Sequence, residues 1–216
     1  MQVIKVLMAG GVVMIPLLIF SVAGIALVLE RALFWTRVRR RQSRTVRLAL
    51  NLYRESGPQD TLKLLKRNLD LPIVRIFVAA LSLDEPTPDE FRLALETESH
   101  AELPLLKRFS TVFETIVTVS PLLGLLGTVT GLIRSFESLN LGNIGGSQTL
   151  QVTGGISEAL VSTAAGLIVA ITALMFSNVF HGMYLRQKAL IQEYGGQLEL
   201  LYRHRYEREG VSHALT

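Results

Sequence analysis

The chain has 216 residues, of which 49% are hydrophobic and 19% charged, and it carries a formal net charge of +4. The absence of cysteine excludes disulfides and thiolate metal sites. The four histidines form no ligand-spaced cluster, and no glycine-rich nucleotide loop follows a strand. The sequence therefore predicts neither an enzyme nor a metal or cofactor site.

An uncharged apolar stretch at 7–29 predicts a first membrane helix, because at 1.5 Å per residue it crosses a hydrocarbon core of about 30 Å. This stretch is longer than the ~7–15 residues usual in a cleaved signal peptide, and arginines follow it, so we expect a retained anchor. The helix should continue beyond the membrane to about Ser56, where Gly57-Pro58 ends it.

Basic residues are distributed unevenly. Of the 22 Lys and Arg residues, 15 lie in 31–108 and five in 183–216. Basic residues near membrane helices mark the cytoplasmic side, so we expect both segments in the cytoplasm and the N-terminus outside. The densest group follows the first span: Arg37, Arg39, Arg40, Arg41, Arg44 and Arg47. Nucleic-acid binding is the rival interpretation of this group, but topology and anionic lipid already account for it, so we expect no nucleic-acid partner.

A strong helix start follows at Thr87. This residue is a candidate N-cap, Pro88 suits the first helical position, and Glu90 completes a capping box. A second apolar stretch, long enough to cross a membrane, lies at 110–133, and no turn signal other than Pro104 interrupts the chain before its end. We therefore expect one long helix from Pro88 to about Leu139, roughly 75 Å in length.

Residues 140–155 are rich in Gly, Asn, Ser and Thr and predict a short outer loop. The third membrane helix should begin near 152–156, cross the membrane over 159–180 and continue to about Arg208. We expect the tail at 209–216 to be frayed.

These features predict an all-α, polytopic membrane protein with three transmembrane helices, of which the second and third extend far into the cytoplasm. The expected segments are transmembrane helix 1 at 1–30, a cytoplasmic helical region at 31–108 with short helices near 59–68 and 72–83, transmembrane helix 2 at 109–136, a periplasmic loop at 137–153, transmembrane helix 3 at 154–182, and a cytoplasmic C-terminal helix and tail at 183–216.

Small and polar residues recur on one face of the second span, in steps of three and four: Glu114, Thr118, Pro121, Gly124, Thr128 and Gly131. Small residues at this spacing let helices approach closely in lipid. We assign helix packing to Pro121, Gly124, Gly127, Gly131 and, on the third span, Gly166. Packing does not explain Glu114, which is either an ion-path residue or a carboxylate hydrated at the cytoplasmic interface.

Glu158 begins the third span and is the strongest candidate ion-path residue, because carboxylates at membrane depth are costly. Ser162 shares its face, whereas Thr163 points about 140° away at 100° per residue. The alternative for Glu158 is an N-terminal carboxylate stabilised by the helix dipole. We favour a functional role for this lone carboxylate, with one of Glu158 and Thr163 lining a pathway while the other meets a neighbouring helix.

Two motifs resemble a known family: Pro121-Leu-Leu-Gly-Leu-Leu-Gly-Thr-Val-x-Gly131 and Gly155-Ile-Ser-Glu-Ala-Leu-x-x-Thr-Ala-x-Gly-Leu-x-x-Ala-Ile171. They are similar to those of the MotA/TolQ/ExbB proton-channel family. The three-helix topology resembles the ExbB/TolQ branch, since MotA-like stators have a fourth membrane helix. Thr128, Glu158 and Thr163 match polar positions of that family. The mechanism that the resemblance implies is consistent with a Glu158 carboxylate that takes and releases a proton, with the hydroxyls of Thr128, Ser162 and Thr163 holding a file of water beside it.

The resemblance implies a homopentamer in the bacterial inner membrane. Its second and third helices would surround a single-pass ExbD- or TolR-like partner that carries an intramembrane Asp, with a TonB- or TolA-like protein as a further partner. Ion passage, which we expect to be that of protons, would power work on the cell envelope, such as TonB-type outer-membrane import. The alternatives are a TolQ-type role in the Tol-Pal system and a passive membrane scaffold for a partner helix.

Overall fold

A computed structural model describes residues 10–139 and 146–214. This part of the chain contains the helices α1 (Met14–Ser56), α2 (Pro58–Lys66), α3 (Pro72–Leu81), α4 (Pro88–Leu106), α5 (Ser110–Leu139) and α6 (Gly146–Ala214). No strand occurs among the described residues. The predicted all-α class is therefore confirmed.

Three stretches are long and apolar enough to cross a membrane: Met14–Ser56, Pro88–Glu137 and Val152–Arg208. In the most apolar 18-residue segment of each stretch, only 17%, 28% and 28% is buried within the chain. Most of this apolar surface therefore faces outward. Exposing such surface to water costs about 25 cal/mol per Å², a cost that lipid or a partner helix removes. The prediction of a three-helix membrane protein is confirmed.

The chain divides into two compact units. The first comprises Met1–Arg31 and Phe109–Phe180, and the second comprises Ala32–Arg108 and His181–Thr216. In the first unit, Phe113, Ile116 and Ala173 form a buried cluster in which α5 packs against α6. A second cluster in this unit joins the start of α1 to both helices through Val13, Met14, Leu17, Leu123 and Ala165.

The second unit has its own core around α3 and α4. Phe77 and Phe91 are fully buried, and the ring of Phe91 stacks on that of Tyr202 with centroids 4.0 Å apart. Arg75 donates two hydrogen bonds of 2.5 Å to the buried carboxylate of Glu102, and these bonds raise the pKa of the guanidinium. A bidentate charged pair of this kind fixes the register of α3 on α4.

Helix α1 ends at Ser56, where the sequence places its end. The next residue, Gly57, has a φ of +84°, a conformation that favours glycine. A Cβ at this position would lie 2.2 Å from a guanidinium nitrogen of Arg205. Gly57 therefore allows both the sharp turn and the close approach of the arginine, and Pro58 then begins α2.

The expectation of one uninterrupted helix from Pro88 to Leu139 is wrong, because a turn at 107–109 separates α4 from α5. At the end of α4 the backbone N–H of Lys107 donates to the carbonyl of Pro104, a tightened i−3 bond. Phe109 then has a φ of +69°, in the left-handed region that ends helices. The Arg31 guanidinium lies 5.4 Å from the centroid of the Phe109 ring, a contact that stabilises this conformation.

The expected loop at 140–155 is too long, because α6 begins at Gly146 rather than near 152–156. One glycine of this stretch, Gly155, instead allows close helix packing. A Cβ on Gly155 would lie 2.2 Å from Ser135 Oγ, and that hydroxyl donates to the carbonyl of Val152 at 3.2 Å. Helix α6 also continues to Ala214, past the predicted end near Arg208, and residues 140–145 lie outside the described residues.

The predicted capping box at the start of α4 is present. The backbone N–H of Thr87 donates to the Glu90 carboxylate at 2.8 Å, and the backbone N–H of Glu90 donates to the Thr87 hydroxyl at 3.4 Å. The hydrogen bond from the backbone N–H of Thr87 lowers the pKa of the Glu90 carboxyl most, and the bond from the Thr87 hydroxyl lowers it further.

We expect Thr87→Ala to destabilise the protein by about 1 kcal/mol, the usual cost of removing a helix N-cap. Because the pKa of Glu90 is lowered in the folded state, its contribution is present above the unfolded pKa and is lost as the pH falls through the folded pKa. The difference between variant and parent should therefore shrink in acid. Thermal unfolding at pH 7 and pH 3 measures this, and Thr36→Ala, whose hydroxyl bonds only its own helix, is the control.

Candidate ion-path site on helices α5 and α6

The small residues of α5 lie directly against α6. A Cβ on Gly124 would lie 3.0 Å from the Cα of Thr163, and one on Gly131 would lie 2.7 Å from the carbonyl oxygen of Gly155. A Cβ on Gly166 would lie 2.5 Å from the carbonyl oxygen of Ser120. The backbones of the two helices approach so closely at these three glycines that a larger side chain there would have no room.

Ser162 lies within this contact and is fully buried. Its hydroxyl donates to the carbonyl of Ala159 at 2.9 Å, on its own helix. A Cβ on Gly127 would lie 2.2 Å from Ser162 Oγ, so the hydroxyl occupies the space that this glycine leaves on α5. The half-buried Pro121 lies on the same helix, one turn before Gly124.

Thr163 makes a hydrogen bond between the two helices. Its hydroxyl donates to the carbonyl of Gly124 at 3.0 Å. This carbonyl is reachable because Gly124 has no side chain to cover it. Thr163 therefore both packs against α5 and forms a hydrogen bond with its backbone.

We expect Thr163→Val, which keeps the shape of the side chain, to destabilise the protein by about 0.6 kcal/mol, the average for hydrogen bonds between membrane helices. Thermal unfolding in detergent micelles measures the loss. Thr172→Val is the matched control, because its hydroxyl donates only to Ile168 on its own helix at 2.8 Å. Equal effects of the two substitutions would show that the bond to Gly124 contributes nothing.

Thr128 is half-buried, and its hydroxyl donates to the carbonyl of Leu125 at 2.6 Å, one turn earlier on α5. This hydroxyl retains acceptor capacity, because the oxygen has two lone pairs beside the donated proton. Its position four residues from Gly124 puts it on the α5 face that carries the contact with Thr163.

Glu158 forms an ion pair with Arg134. The two charged groups are 2.6 Å apart, and the side chains are 18% and 51% exposed. Gly11 also lies against this carboxylate, since a Cβ on Gly11 would be only 1.7 Å from its Oε1. The expectation that Glu158 is a lone carboxylate is therefore wrong.

Arg134 is the residue that the sequence-based prediction missed. It is the only Lys or Arg between 109 and 182, which was a usable signal in itself. A cation within an apolar span requires a partner, and the acidic residue of the neighbouring span is the natural one.

Glu114 lies at the other end of α5. It is exposed, and within the described part of the chain it has no ion-pair partner. Twenty residues separate it from Arg134, which is about 30 Å of helix. The structure therefore does not bring the two predicted carboxylates together. Nowhere in residues 10–139 and 146–214 do three His, Asp or Glu side chains form a possible metal site.

A family model described as the MotA/TolQ/ExbB proton channel family matches residues 68–193, more than half of the chain and the whole of the α5–α6 contact. The chain belongs to this family. Its position within the family is the ExbB/TolQ-like branch, as its three-helix topology predicts.

Two relatives with this assignment match most of the chain, and a third matches about half of it. The putative biopolymer transport protein ExbB-like 3 of Synechocystis sp. is 60% identical over 196 residues, which is 91% of this chain and 93% of the relative. ExbB-like 1 of the same organism is 40% identical over 198 residues, or 90% and 76% of the two chains. The Tol-Pal system protein TolQ of Haemophilus influenzae is 37% identical over 108 residues, or 49% and 44%.

Proposed function

We propose that this ExbB/TolQ-like protein is a non-enzymatic subunit of an ion-driven motor, with the ion path bordered by α5 and α6. The supporting observation is the Arg134–Glu158 pair at the end of two apolar helices. Charged groups at such positions are costly and are retained for function. One elementary charge moved through 100 mV releases about 2.3 kcal/mol, which is the energy that such a motor would convert.

The hydroxyls of Thr128 and Thr163 supply the polar positions of the path in this proposal. Both belong to apolar, membrane-spanning stretches of their helices. The Thr163 hydroxyl already joins the two helices, because it donates to the carbonyl of Gly124. A hydroxyl both donates and accepts, so a file of water beside these residues can pass a proton. The ion is a proton in this proposal.

The proposed setting is the bacterial inner membrane, with a periplasmic N-terminus and a cytoplasmic C-terminus. The uneven distribution of basic residues supports this orientation. The extensions of the helices beyond the apolar spans would then lie in the cytoplasm. The proposed assembly is a homopentamer around a single-pass, ExbD- or TolR-like protein with an intramembrane Asp, and it would act on a TonB- or TolA-like protein.

The proposed work is TonB-type import across the outer membrane. The names of the biopolymer transport relatives support this choice, and the shorter TolQ match supports a Tol-Pal role as the second candidate. Deleting the gene and measuring uptake of an outer-membrane receptor ligand against sensitivity to detergents separates the two. Loss of uptake alone supports the first role, and detergent sensitivity alone supports the second.

Ion flux through the reconstituted complex tests the motor proposal. The full chain is co-purified with its partner, placed in vesicles that contain a pH-sensitive dye, and exposed to an imposed potential. Glu158→Gln is expected to lower proton flux at least tenfold, because it removes the ionisable group. Thr128→Val and Thr163→Val should lower it as well.

Two substitutions serve as matched controls. Thr172→Val alters an exposed hydroxyl on α6 that bonds its own helix and should leave flux unchanged. Glu114→Gln removes the other carboxylate, and a loss equal to that of Glu158→Gln would assign both to the path. Undiminished flux in Glu158→Gln and Thr128→Val would show that the assigned residues are wrong, and an assembly without any flux would favour the passive scaffold.

A further inference from the structure

A small cavity lies between α1 and α6 in the second unit. Its volume is about 130 Å³. Six polar or aromatic residues that line it are Trp35, Arg39, Gln42, Ser43, Arg186 and Gln187. Pockets for organic ligands of drug size measure about 300–1,000 Å³, so this cavity suits a compact group.

The charge of the cavity is entirely positive. Arg39 and Arg186 are its charged residues, and no carboxylate lines it. Neither guanidinium makes a hydrogen bond or ion pair with any described residue. Arg41, by contrast, pairs with Asp70 at 2.6 Å. Two unneutralised guanidiniums at one small cavity favour an anion, and their planar forks match phosphate oxygens in particular.

A buried donor points to the same conclusion. Trp35 is only 6% exposed, and its indole Nε1 has no hydrogen-bond partner in the described part of the chain. Gln42 and Gln187 cannot serve it readily, because their side-chain amides bond each other at 3.1 and 2.7 Å. Buried donors are rarely left unpaired, so an acceptor from outside the chain would complete the site.

The position of the cavity along the helices indicates where the anion comes from. Trp35 lies six residues after Leu29, the end of the first uncharged stretch, and Arg186 lies six residues after Phe180. Six helical residues span about 9 Å. The headgroup layer begins at the edge of the hydrocarbon core and is roughly 5–8 Å thick, which puts Trp35 and Arg186 near the level of lipid phosphates. Arg39 lies four residues, about one turn, farther along α1, and helical side chains tilt toward the N-terminus of their helix, which here is toward that level. Tryptophan is itself enriched at that level.

We propose that this cavity binds the phosphate of an anionic phospholipid, held by Arg39 and Arg186 with Trp35 Nε1–H as a further donor. The site would anchor α1 to α6 at the membrane surface. It does not depend on the ion path, so it can hold or fail whether or not the chain conducts ions.

Native mass spectrometry of the full chain tests the proposal. The protein is released from nanodiscs that contain equal amounts of phosphatidylglycerol and phosphatidylcholine, and the lipids retained on each protomer are counted. We expect phosphatidylglycerol to be retained preferentially. One basic residue near an anionic surface is worth about fivefold in binding, so Arg39→Gln with Arg186→Gln should reduce the preference on the order of 25-fold.

The matched control is Arg40→Gln with Lys188→Gln. These exposed residues neighbour the site residues on the same two helices and do not line the cavity, and the change in net charge is identical. The control should keep the preference. Equal losses in the two double variants would overturn the proposal in favour of diffuse surface charge, and no loss in either would overturn it outright.

Trp35, the only tryptophan of the chain, separates lipid from free phosphate. Its fluorescence should shift when delipidated protein in neutral detergent receives phosphatidylglycerol micelles. No shift should follow millimolar inorganic phosphate. A shift with inorganic phosphate alone would assign the cavity to a soluble anion and overturn the lipid proposal.

Discussion

Replacing Gly166 by alanine is expected to destabilise the packing of α5 on α6 by about 1–3 kcal/mol, and replacement by leucine should prevent it. A Cβ at this position would lie 2.5 Å from the carbonyl oxygen of Ser120 and 3.1 Å from the Cα of Gly124. Both neighbours are backbone atoms, which cannot rotate away, so overpacking is relieved only by separating the helices. Thermal unfolding in detergent micelles measures the effect.

A loss of stability in Gly166→Ala would be informative, because alanine is otherwise the better helix former than glycine by about 1 kcal/mol. A Cβ on Gly182 would meet no other side chain or neighbouring helix within 4 Å, so the same substitution there should be neutral or stabilising. A Gly166→Ala variant that is as stable as Gly182→Ala would show that the helices do not approach as described.

Replacing Arg134 by glutamine is expected to cost about 1–3 kcal/mol of stability, because it leaves the Glu158 carboxylate without its partner at 2.6 Å. Glu158 is mostly shielded by its surroundings, so water replaces the lost bond only in part. A double-mutant cycle with Arg134→Gln and Glu158→Gln isolates the coupling between the two side chains. We expect a coupling free energy of about 1 kcal/mol.

The exposed pair of Arg92 and Glu96 is the control for this cycle. Its atoms are 3.8 Å apart and both side chains are more than half exposed. Its coupling should be about 0.3–0.5 kcal/mol, as for other surface pairs on a helix. Effects of Arg134→Gln and Glu158→Gln that simply add would contradict an ion pair in the folded protein.

Arg134 also shows where reasoning from the sequence ends. The sequence predicts that Glu158 is unusual, because its charge interrupts an apolar run. Its partner lies 24 residues earlier, on another helix. Hydropathy places both residues in apolar spans, but it contains no information about which faces of two helices meet. The hydroxyl of Thr163 poses the same problem, since the carbonyl that it bonds lies 39 residues away.

The helix boundaries also differ in whether local sequence signals or contacts between helices set them. The end of α1 at Ser56 follows from a Gly-Pro pair, and the start of α4 after Thr87 follows from a capping box. Both are local signals, and the structure has both boundaries at these positions. At the break between α4 and α5, Phe109 has a left-handed backbone conformation, and its ring lies against the guanidinium of Arg31. These two residues are far apart in the sequence, so no local pattern predicts the contact. Near the start of α6, Gly155 likewise packs against Ser135 and Gly131 of α5, a contact between separate helices.

Hydropathy, composition and motif spacing are properties of the linear chain, and they were enough to predict the all-α class, the three apolar spans and the family. Three arrangements became known only from the folded chain: Arg134 pairs with Glu158, Thr163 bonds the backbone of α5, and Arg39 and Arg186 line one cavity. Each of these arrangements involves residues on different helices. The rotation and depth of one helix against another set them, and these follow from the packing of whole surfaces rather than from any single segment.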